Sequence, residues 1–283
     1  MAGLGPVRIR EIAQELDLRP TKRLGQNFVI DANTVRRIAS LARVGPTDVA
    51  LEVGPGLGSL TLALLETGAQ VEAVEIDERL AGRLPRTVGE LDPDASERLR
   101  VRCQDAVTLR ELDWEPTVLV ANLPYNTGVP ILLNVLERFP TIASGVIMVQ
   151  AEVARRLTAA PRSREYGVPS VKLAWWATAR SLGKVGPEVF WPVPNVQSGL
   201  VGFRRNPQAR PALRAETFAA VDAAFAQRRK MLRSALRAWA APFEALELLE
   251  KAGIDPDLRG EALRVEDYLA LASAKSAAQP PSL

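Results

Sequence analysis

The chain has 283 residues, 36 of them Lys or Arg and 33 Asp or Glu, for a formal net charge of +3, and 47% of it is hydrophobic. Such a length and apolar content predict a soluble globular protein with a substantial core, organised as a main domain and a smaller partner. One cysteine, Cys103, excludes an internal disulfide and a multi-cysteine zinc site, and the lack of any histidine removes imidazole acid–base chemistry and His-ligated metals.

Residues 1–20 read as an N-terminal extension in which Arg8, Arg10, Glu11 and Glu15 interrupt the apolar residues, unlike a signal peptide. No run approaches the roughly 18 apolar residues of a membrane span. With its lone cysteine, the chain is therefore expected to be cytoplasmic and to have no membrane partner.

From about Asp48 to Phe203, short β-branched runs alternate with amphipathic stretches. Strands are predicted at Val49–Val53, Val71–Ile76, Leu99–Cys103, Val118–Ala121 and Val146–Val149, with helical spacing in Ser59–Glu66 and Pro130–Arg138. The pattern predicts an α/β Rossmann-like, mostly parallel sheet. Two later strands, Ala177–Val185 and Gly199–Arg204, would close it with an antiparallel edge. After Arg204 the pattern turns helical, so residues 1–205 are expected to form one domain and 206–283 a smaller all-helical one. Helices are expected at Ala215–Trp239, Phe243–Ala252 and Val265–Ala274, with a tail frayed from about Ser276.

The first strand runs into Gly54-Pro55-Gly56-Leu57-Gly58, and a helix follows at once. Glycines there let the backbone turn tightly and approach a ligand at the carboxyl end of a strand. The next strand ends at Glu75, 21 residues after Gly54, close to the spacing of about 20 at which a carboxylate meets a ribose. Asp77 fits a helix N-cap, and Asp105 fits either another cap or an acceptor for an adenine amine. The loop lacks both the G-x-G-x-x-G spacing and a Walker Lys-Ser/Thr pair, so it suits a nucleoside without phosphates. S-adenosylmethionine is such a ligand, and no metal is expected beside it.

The fourth strand leads into Asn122-Leu123-Pro124-Tyr125. The N6 lone pair of adenine is delocalised into the ring, so the amine needs two acceptors aimed at its protons to become nucleophilic. The Asn122 side-chain oxygen and a carbonyl at Leu123 or Pro124 would supply them. Catalysis by positioning and electrostatics then needs no strong base. Tyr125 offers an aromatic face to an unstacked base.

Together these segments resemble the ribosomal RNA adenine N6,N6-dimethyltransferases of the KsgA type. Lys22-Arg23-Leu24-Gly25-Gln26-Asn27-Phe28 is similar to the family's N-terminal signature, in which the positions of Asn27 and Val29 touch the cofactor; Gly54, Glu75, Asp105 and Asn122 match further contacts, and Gly56 of the glycine-rich loop is expected to join them. Phe190-Trp191-Pro192-Val193-Pro194-Asn195-Val196-Gln197-Ser198 resembles a late loop whose phenylalanine packs on the target base, which makes Phe190 a second stacking candidate. Gln197 departs from the family's aspartate, and Gly128-Val129 replaces small polar residues.

Arg228, Arg229, Lys230, Arg233 and Arg237 fall within ten residues, and 229, 233 and 237 would share one face of a continuous helix. Such a stripe suits RNA phosphates or simply a solvated face. The segment Ala224-Phe225-Ala226-Gln227-Arg228-Arg229-Lys230 also resembles the family's C-terminal signature, which favours RNA. A second basic group, Arg155, Arg156, Arg162 and Arg164, is expected to flank the active-site mouth. The resemblance implies a monomer that methylates two adjacent adenosines of small-subunit ribosomal RNA in a pre-assembled 30S particle. The alternatives are an Erm-type large-subunit methyltransferase and an assembly factor with incidental catalysis.

Overall fold

A computed structural model describes residues 4–18, 27–207 and 211–278. In chain order it contains α1 (Pro6–Glu15), β1 (Phe28–Val29), α2 (Ala32–Ala42), β2 (Val49–Val53), α3 (Ser59–Leu65), β3 (Gln70–Glu75), α4 (Glu78–Leu91), β4 (Leu99–Cys103), β5 (Val118–Asn122), α5 (Gly128–Arg138), β6 (Ser144–Gln150) and α6 (Ala151–Leu157). There follow α7 (Val168–Trp176), β7 (Ala177–Val185), β8 (Phe190–Trp191), β9 (Ser198–Arg205), α8 (Arg214–Ala226), α9 (Leu232–Ala235), α10 (Arg237–Ala240), α11 (Ala245–Lys251) and α12 (Val265–Ala278). Among the described residues no helix is long and apolar enough to cross a membrane.

Seven of the described strands form one sheet in the order β4-β3-β2-β5-β6-β9-β7. The pairs from β4 through β6 are parallel, and β9 runs antiparallel to β6. This is the predicted mostly parallel α/β sheet with an antiparallel edge region. Burial explains the order of the last two strands: β9 carries Leu200, Val201 and Phe203 into the interior, whereas β7 is largely exposed and takes the edge. The chain moves outward from β2 to β3 and β4, then returns to β5 on the other side of β2. A crevice therefore opens between the carboxyl ends of β2 and β5, where open α/β sheets bind ligands.

Two compact units divide the chain: one contains residues up to Arg155 together with Ala179–Arg205, and the other Arg156–Thr178 together with everything from Asn206 onward. The helical unit therefore takes in a segment, 156–178, that the sequence reading assigned to the first domain. Packing is the reason: Tyr166 and Val171 are buried with Val221, Leu236, Leu249 and Tyr268 in the helical core. The Tyr166 hydroxyl also donates to the Leu263 carbonyl at 2.8 Å.

The N-terminal extension contains a helix that the sequence reading did not assign. Ile9, Ile12 and Ala13 of α1 are buried in the core of the sheet unit. At its rim, Arg8 bonds Glu90 of α4 at 2.7 Å, and Arg83, Arg8 and Arg86 together hold the Glu90 carboxyl down to about 2. The helix α2 was also missed, although Val35, Ile38, Ala39 and Ala42 have amphipathic spacing. Asp31 caps it by accepting from the Thr34 N–H at 2.8 Å.

In the helical unit the long helix expected over Ala215–Trp239 ends at Ala226. The N–H groups of Leu232 and Arg233 donate to the carbonyls of Leu258 and Pro256, at 2.8 and 3.2 Å, instead of to a preceding helical turn. A turn follows α8, and α9 and α10 are four-residue helices. The tail expected to fray from Ser276 is helical through Ala278. Buried Lys275 anchors that last turn by donating to the Trp239 carbonyl at 2.6 Å and to Glu216 at 2.8 Å.

Candidate active site

The glycine-rich loop leaves β2 with Gly54, Gly56 and Gly58 at φ of 71°, 58° and 99°, a left-handed region that side chains other than glycine rarely adopt. A Cβ on Gly56 would lie 2.8 Å from Cδ1 of Phe28, so the loop presses directly on β1. Strand ends tie the neighbouring turns in place. The Gly54 N–H donates to the Val74 carbonyl and the Gln104 N–H to the Glu75 carbonyl, both at 2.9 Å.

A cavity of ≈ 200 Å³ opens along these ends. Of the residues singled out in the sequence, Asn27, Val29, Gly54, Gly56, Glu75, Asp105, Asn122 and Pro124 all line it. Glu75 accepts from three backbone groups: Gly56 N–H at 3.1 Å on Oε2, and Ile76 and Asp77 N–H at 2.9 and 3.0 Å on Oε1. Burial pushes its carboxyl above the ordinary value, while those three donors favour the charged form. Asp77 does cap α4, accepting from the Arg79 N–H at 3.0 Å. Asp105 caps no helix; it accepts from the Val107 N–H at 2.9 Å within a turn.

The buried carboxylate at the strand end, the close backbone approach allowed by the glycines and the half-exposed Ile76 beside Glu75 fit a nucleoside: hydroxyls for the acid, an apolar face for the ring. Ile76 is a site residue that the sequence reading passed over, since it looked like the last apolar position of a strand. At 52% exposure it is a bulky aliphatic side chain left open on a cavity wall. Glu52, one residue before Val53, also lines the cavity and was missed. Burial pushes its carboxyl up to about 8 even though Thr61 donates to it at 2.7 Å, and nearby Glu75 adds to the rise.

At the end of β5, Asn122 donates from Nδ2 to the Asn27 carbonyl at 3.2 Å. A carbonyl can only accept, so this contact settles which amide atom faces it and leaves Oδ1 as the acceptor. The Leu123 side chain is buried, and its N–H donates to the Met148 carbonyl at 3.0 Å. Pro124 continues along the cavity, and Tyr125 is half-buried, its hydroxyl 3.1 Å from the Ser198 hydroxyl. Gly128 begins α5 where a Cβ would sit 3.2 Å from the Leu123 Cβ, so a larger residue would press on the run after β5.

Phe190 is not the second stacking face expected of it. It is 1% exposed and packed in the core of the sheet unit, so its ring presents no face to a base. The residue instead builds the site through its backbone: β8 pairs antiparallel with β1, with Val29 opposite Phe190 and Phe28 opposite Trp191. Phe28 and Trp191 stack with ring centroids 6.2 Å apart. The late loop and the N-terminal signature are thereby joined, although Lys22–Gln26 of that signature lie outside the described residues. Gln197 is exposed and contributes a backbone bond from the Ala151 N–H at 2.9 Å, which is indifferent to the change from aspartate.

The basic run also differs from expectation. Because α8 ends at Ala226, Arg229, Arg233 and Arg237 do not share a helical face; they occupy a turn and two separate short helices. Arg228 is occupied by Glu261 and by the Arg164 carbonyl, both at 2.9 Å, and Arg233 by Asp257 at 2.6 Å. Arg229, Lys230 and Arg237 are exposed, and among the described residues no carboxylate pairs with them. Within the helical unit, the loop of Arg162 and Arg164 is bracketed against Arg228, because the Arg162 N–H donates to the Glu261 carbonyl at 2.8 Å.

Comparison with known proteins bears directly on this site. The family model for "Ribosomal RNA adenine dimethylase" matches residues 18–276. A "Ribosomal RNA small subunit methyltransferase A" of Streptomyces griseus is 56% identical over 276 residues, covering 96% of this chain and 95% of the relative. Its namesake from Cutibacterium acnes is 58% identical over 272 residues, covering 93% and 91%. Among solved structures, a dimethyladenosine transferase from Plasmodium falciparum shares the fold at a TM-score of 0.75 and 21% identity, covering 86% of this chain and 95% of that one. The 23S rRNA methyltransferase ErmE aligns at a TM-score of 0.64 and 27% identity, covering 88% of this chain and all of that one.

Proposed function

This chain belongs to the ribosomal RNA adenine dimethylase family, and from that premise we propose that it methylates N6 of two adjacent adenosines in the 3′-terminal hairpin loop of small-subunit (16S) ribosomal RNA. The product is N6,N6-dimethyladenosine, formed late in small-subunit biogenesis by a cytoplasmic monomer acting on a pre-assembled 30S particle. S-adenosylmethionine supplies, when bound, an electrophilic methyl group on a sulfonium sulfur.

One observation carries the reading. Asn122, its side-chain amide oriented by the Asn27 carbonyl so that Oδ1 is left to accept, lines the same cavity as Glu75 and the glycine-rich loop. Gly54, Gly56 and Glu75 are the residues that would hold the cofactor, with Asn27, Val29 and Asp105 beside them. Asn122 Oδ1 and a carbonyl of Leu123 or Pro124 accept the two amine protons of adenine, drawing the nitrogen toward a tetrahedral geometry in which its lone pair is available. As the new N–C bond forms, the methyl–sulfur bond would break with its electron pair left on sulfur as a neutral thioether; positive charge then develops on the adenine nitrogen, and the same acceptors stabilise it. The surplus proton leaves to solvent, so the chain performs the reaction without histidine. Tyr125 supplies the stacking face, worth about 1–3 kcal/mol per base. Arg229, Lys230 and Arg237, with which no carboxylate among the described residues pairs, offer cations for phosphates, while Arg228 and Arg233 order the backbone around them.

Identities of 56–58% over nearly the whole chain support the small subunit as substrate. The likeness to ErmE supports a large-subunit target less strongly, at 27% identity. Purified protein, labelled S-adenosylmethionine and isolated ribosomal particles test the choice. Label should enter small-subunit RNA as dimethyladenosine, and label in large-subunit RNA instead would overturn it.

A further inference from the structure

We propose that Ser198 is a positioning residue whose hydroxyl, bonded to that of Tyr125, fixes the aromatic ring against which the target base stacks. The inference rests on the reading of Tyr125 as the base platform. It goes beyond it by naming what holds that platform still.

Tyr125 lies in a turn after Pro124, between the end of β5 and the start of α5, so no ladder or helix bonds orient its ring. A tyrosine has two free side-chain torsions, and a stacking face is useful only when both are set. Ser198 is well suited to set them. It is 0% exposed and begins β9, where it pairs with Gln150 of β6. The adjoining residue Gln197 accepts from the Ala151 N–H, which pins the strand entrance further. Among the described residues the Ser198 hydroxyl has one partner, the Tyr125 hydroxyl at 3.1 Å. A buried hydroxyl stripped of its partner is costly, so the bond is favoured from both ends. Burial also raises the Tyr125 phenol above its ordinary value, which keeps the ring neutral and its proton available to this bond.

The two hydroxyls join segments that are 73 residues apart, the catalytic run and the end of the late loop. Phe190, at the other end of that loop, is held by the β1–β8 pairing. The loop is thus anchored at both ends, and Ser198 transmits that rigidity to Tyr125.

The test is a double-mutant cycle in the full-length enzyme, using isolated small-subunit particles as substrate. Tyr125→Phe and Ser198→Ala should each lower kcat by about 3- to 10-fold, the range of one lost hydrogen bond, and leave the KM for S-adenosylmethionine unchanged. The double variant should be no slower than either single one. Tyr125→Phe removes the bond from the half-exposed side, so the cycle does not depend on how well Ser198→Ala folds. Wild-type kcat in both single variants, a lowered melting temperature without a change in kcat, or multiplicative losses in the double variant would each overturn the role of Ser198. If Tyr125→Ala is inactive while both single variants match wild type, the stacking reading stands and only the clamp fails. If Tyr125→Ala is fully active, the stacking reading itself fails.

Discussion

The strand-end loops of the sheet unit and the basic run after Ala226 are both conspicuous in the sequence, yet they translate into structure differently. At the strand ends, residues separated by tens of positions converge on one cavity, because parallel pairing in register sets β2, β3 and β5 side by side with their carboxyl ends together. In the basic run, residues that are neighbours in sequence are dispersed, because the helix assumed to align them stops. Ladder pairing along a sheet constrains position over long distances. A helical face requires an unbroken run of i→i−4 bonds; here the run stops at Ala226, the Lys230 N–H closes a turn on the Gln227 carbonyl, and the Leu232 and Arg233 N–H groups donate to Leu258 and Pro256.

If the strand-end cavity is the seat of catalysis, its variants should lose far more than those of the basic run. The largest effect is expected for Asn122→Ala, which removes the amine acceptor: kcat should fall by at least about 10²-fold, with cofactor binding measured by calorimetry largely retained. Turnover near wild type would sink the mechanism. Next is Glu75→Ala, which takes the carboxylate from the glycine-rich loop and should raise the cofactor Kd about tenfold or more, the scale of a lost charge-assisted hydrogen bond. Calorimetry with an unchanged Kd would move the ribose site elsewhere.

Charge reversal at Arg229 and Lys230 should have a smaller effect. It should weaken RNA binding across sequences and reduce the slope of log K against log salt by about 1 per lost contact. Reversal at Arg233, already paired with Asp257, should change the slope less. Equal slopes for the two sets would restore the single-stripe picture.

The smallest effect on activity is expected at Glu52, where the readout is stability against pH. Glu52 is buried and titrates at about 8 in the folded chain, against an ordinary 4.5. Between those values the native state holds a proton that the unfolded state has lost. The stabilisation is therefore complete below the ordinary value and disappears as pH rises toward about 8. Glu75, also raised, acts in the same direction. The melting temperature should thus decline from pH 5 to 8, and Glu52→Gln should flatten the decline. Parallel curves for the two proteins would place the buried acid elsewhere.

Much of the sheet was legible because strand signals are local and their order follows from alternation with helices. Gly54, Glu75 and Asn122 were legible for the same reason, each standing at the end of a strand. The two-residue strands β1 and β8 leave no periodic trace, so their pairing was invisible. With it went the fact that Phe190 serves the core, since a motif names a residue without saying which way its ring turns. Glu52 and Ile76 were hidden by alternation itself: an acid inside an apolar strand and an aliphatic residue at its end acquire meaning only when the cavity beside them is known. The end of α8 was hidden because no Gly or Pro marks it.

Asn122 stands at the heart of the proposed methylation of adenine in small-subunit ribosomal RNA. The most direct measurement is nucleoside mass spectrometry of that RNA from cells lacking this chain, complemented with either the wild type or Asn122→Ala. Dimethyladenosine should be restored by the wild type and absent with the variant. Its presence in the uncomplemented cells, or its full recovery with Asn122→Ala, would contradict the account.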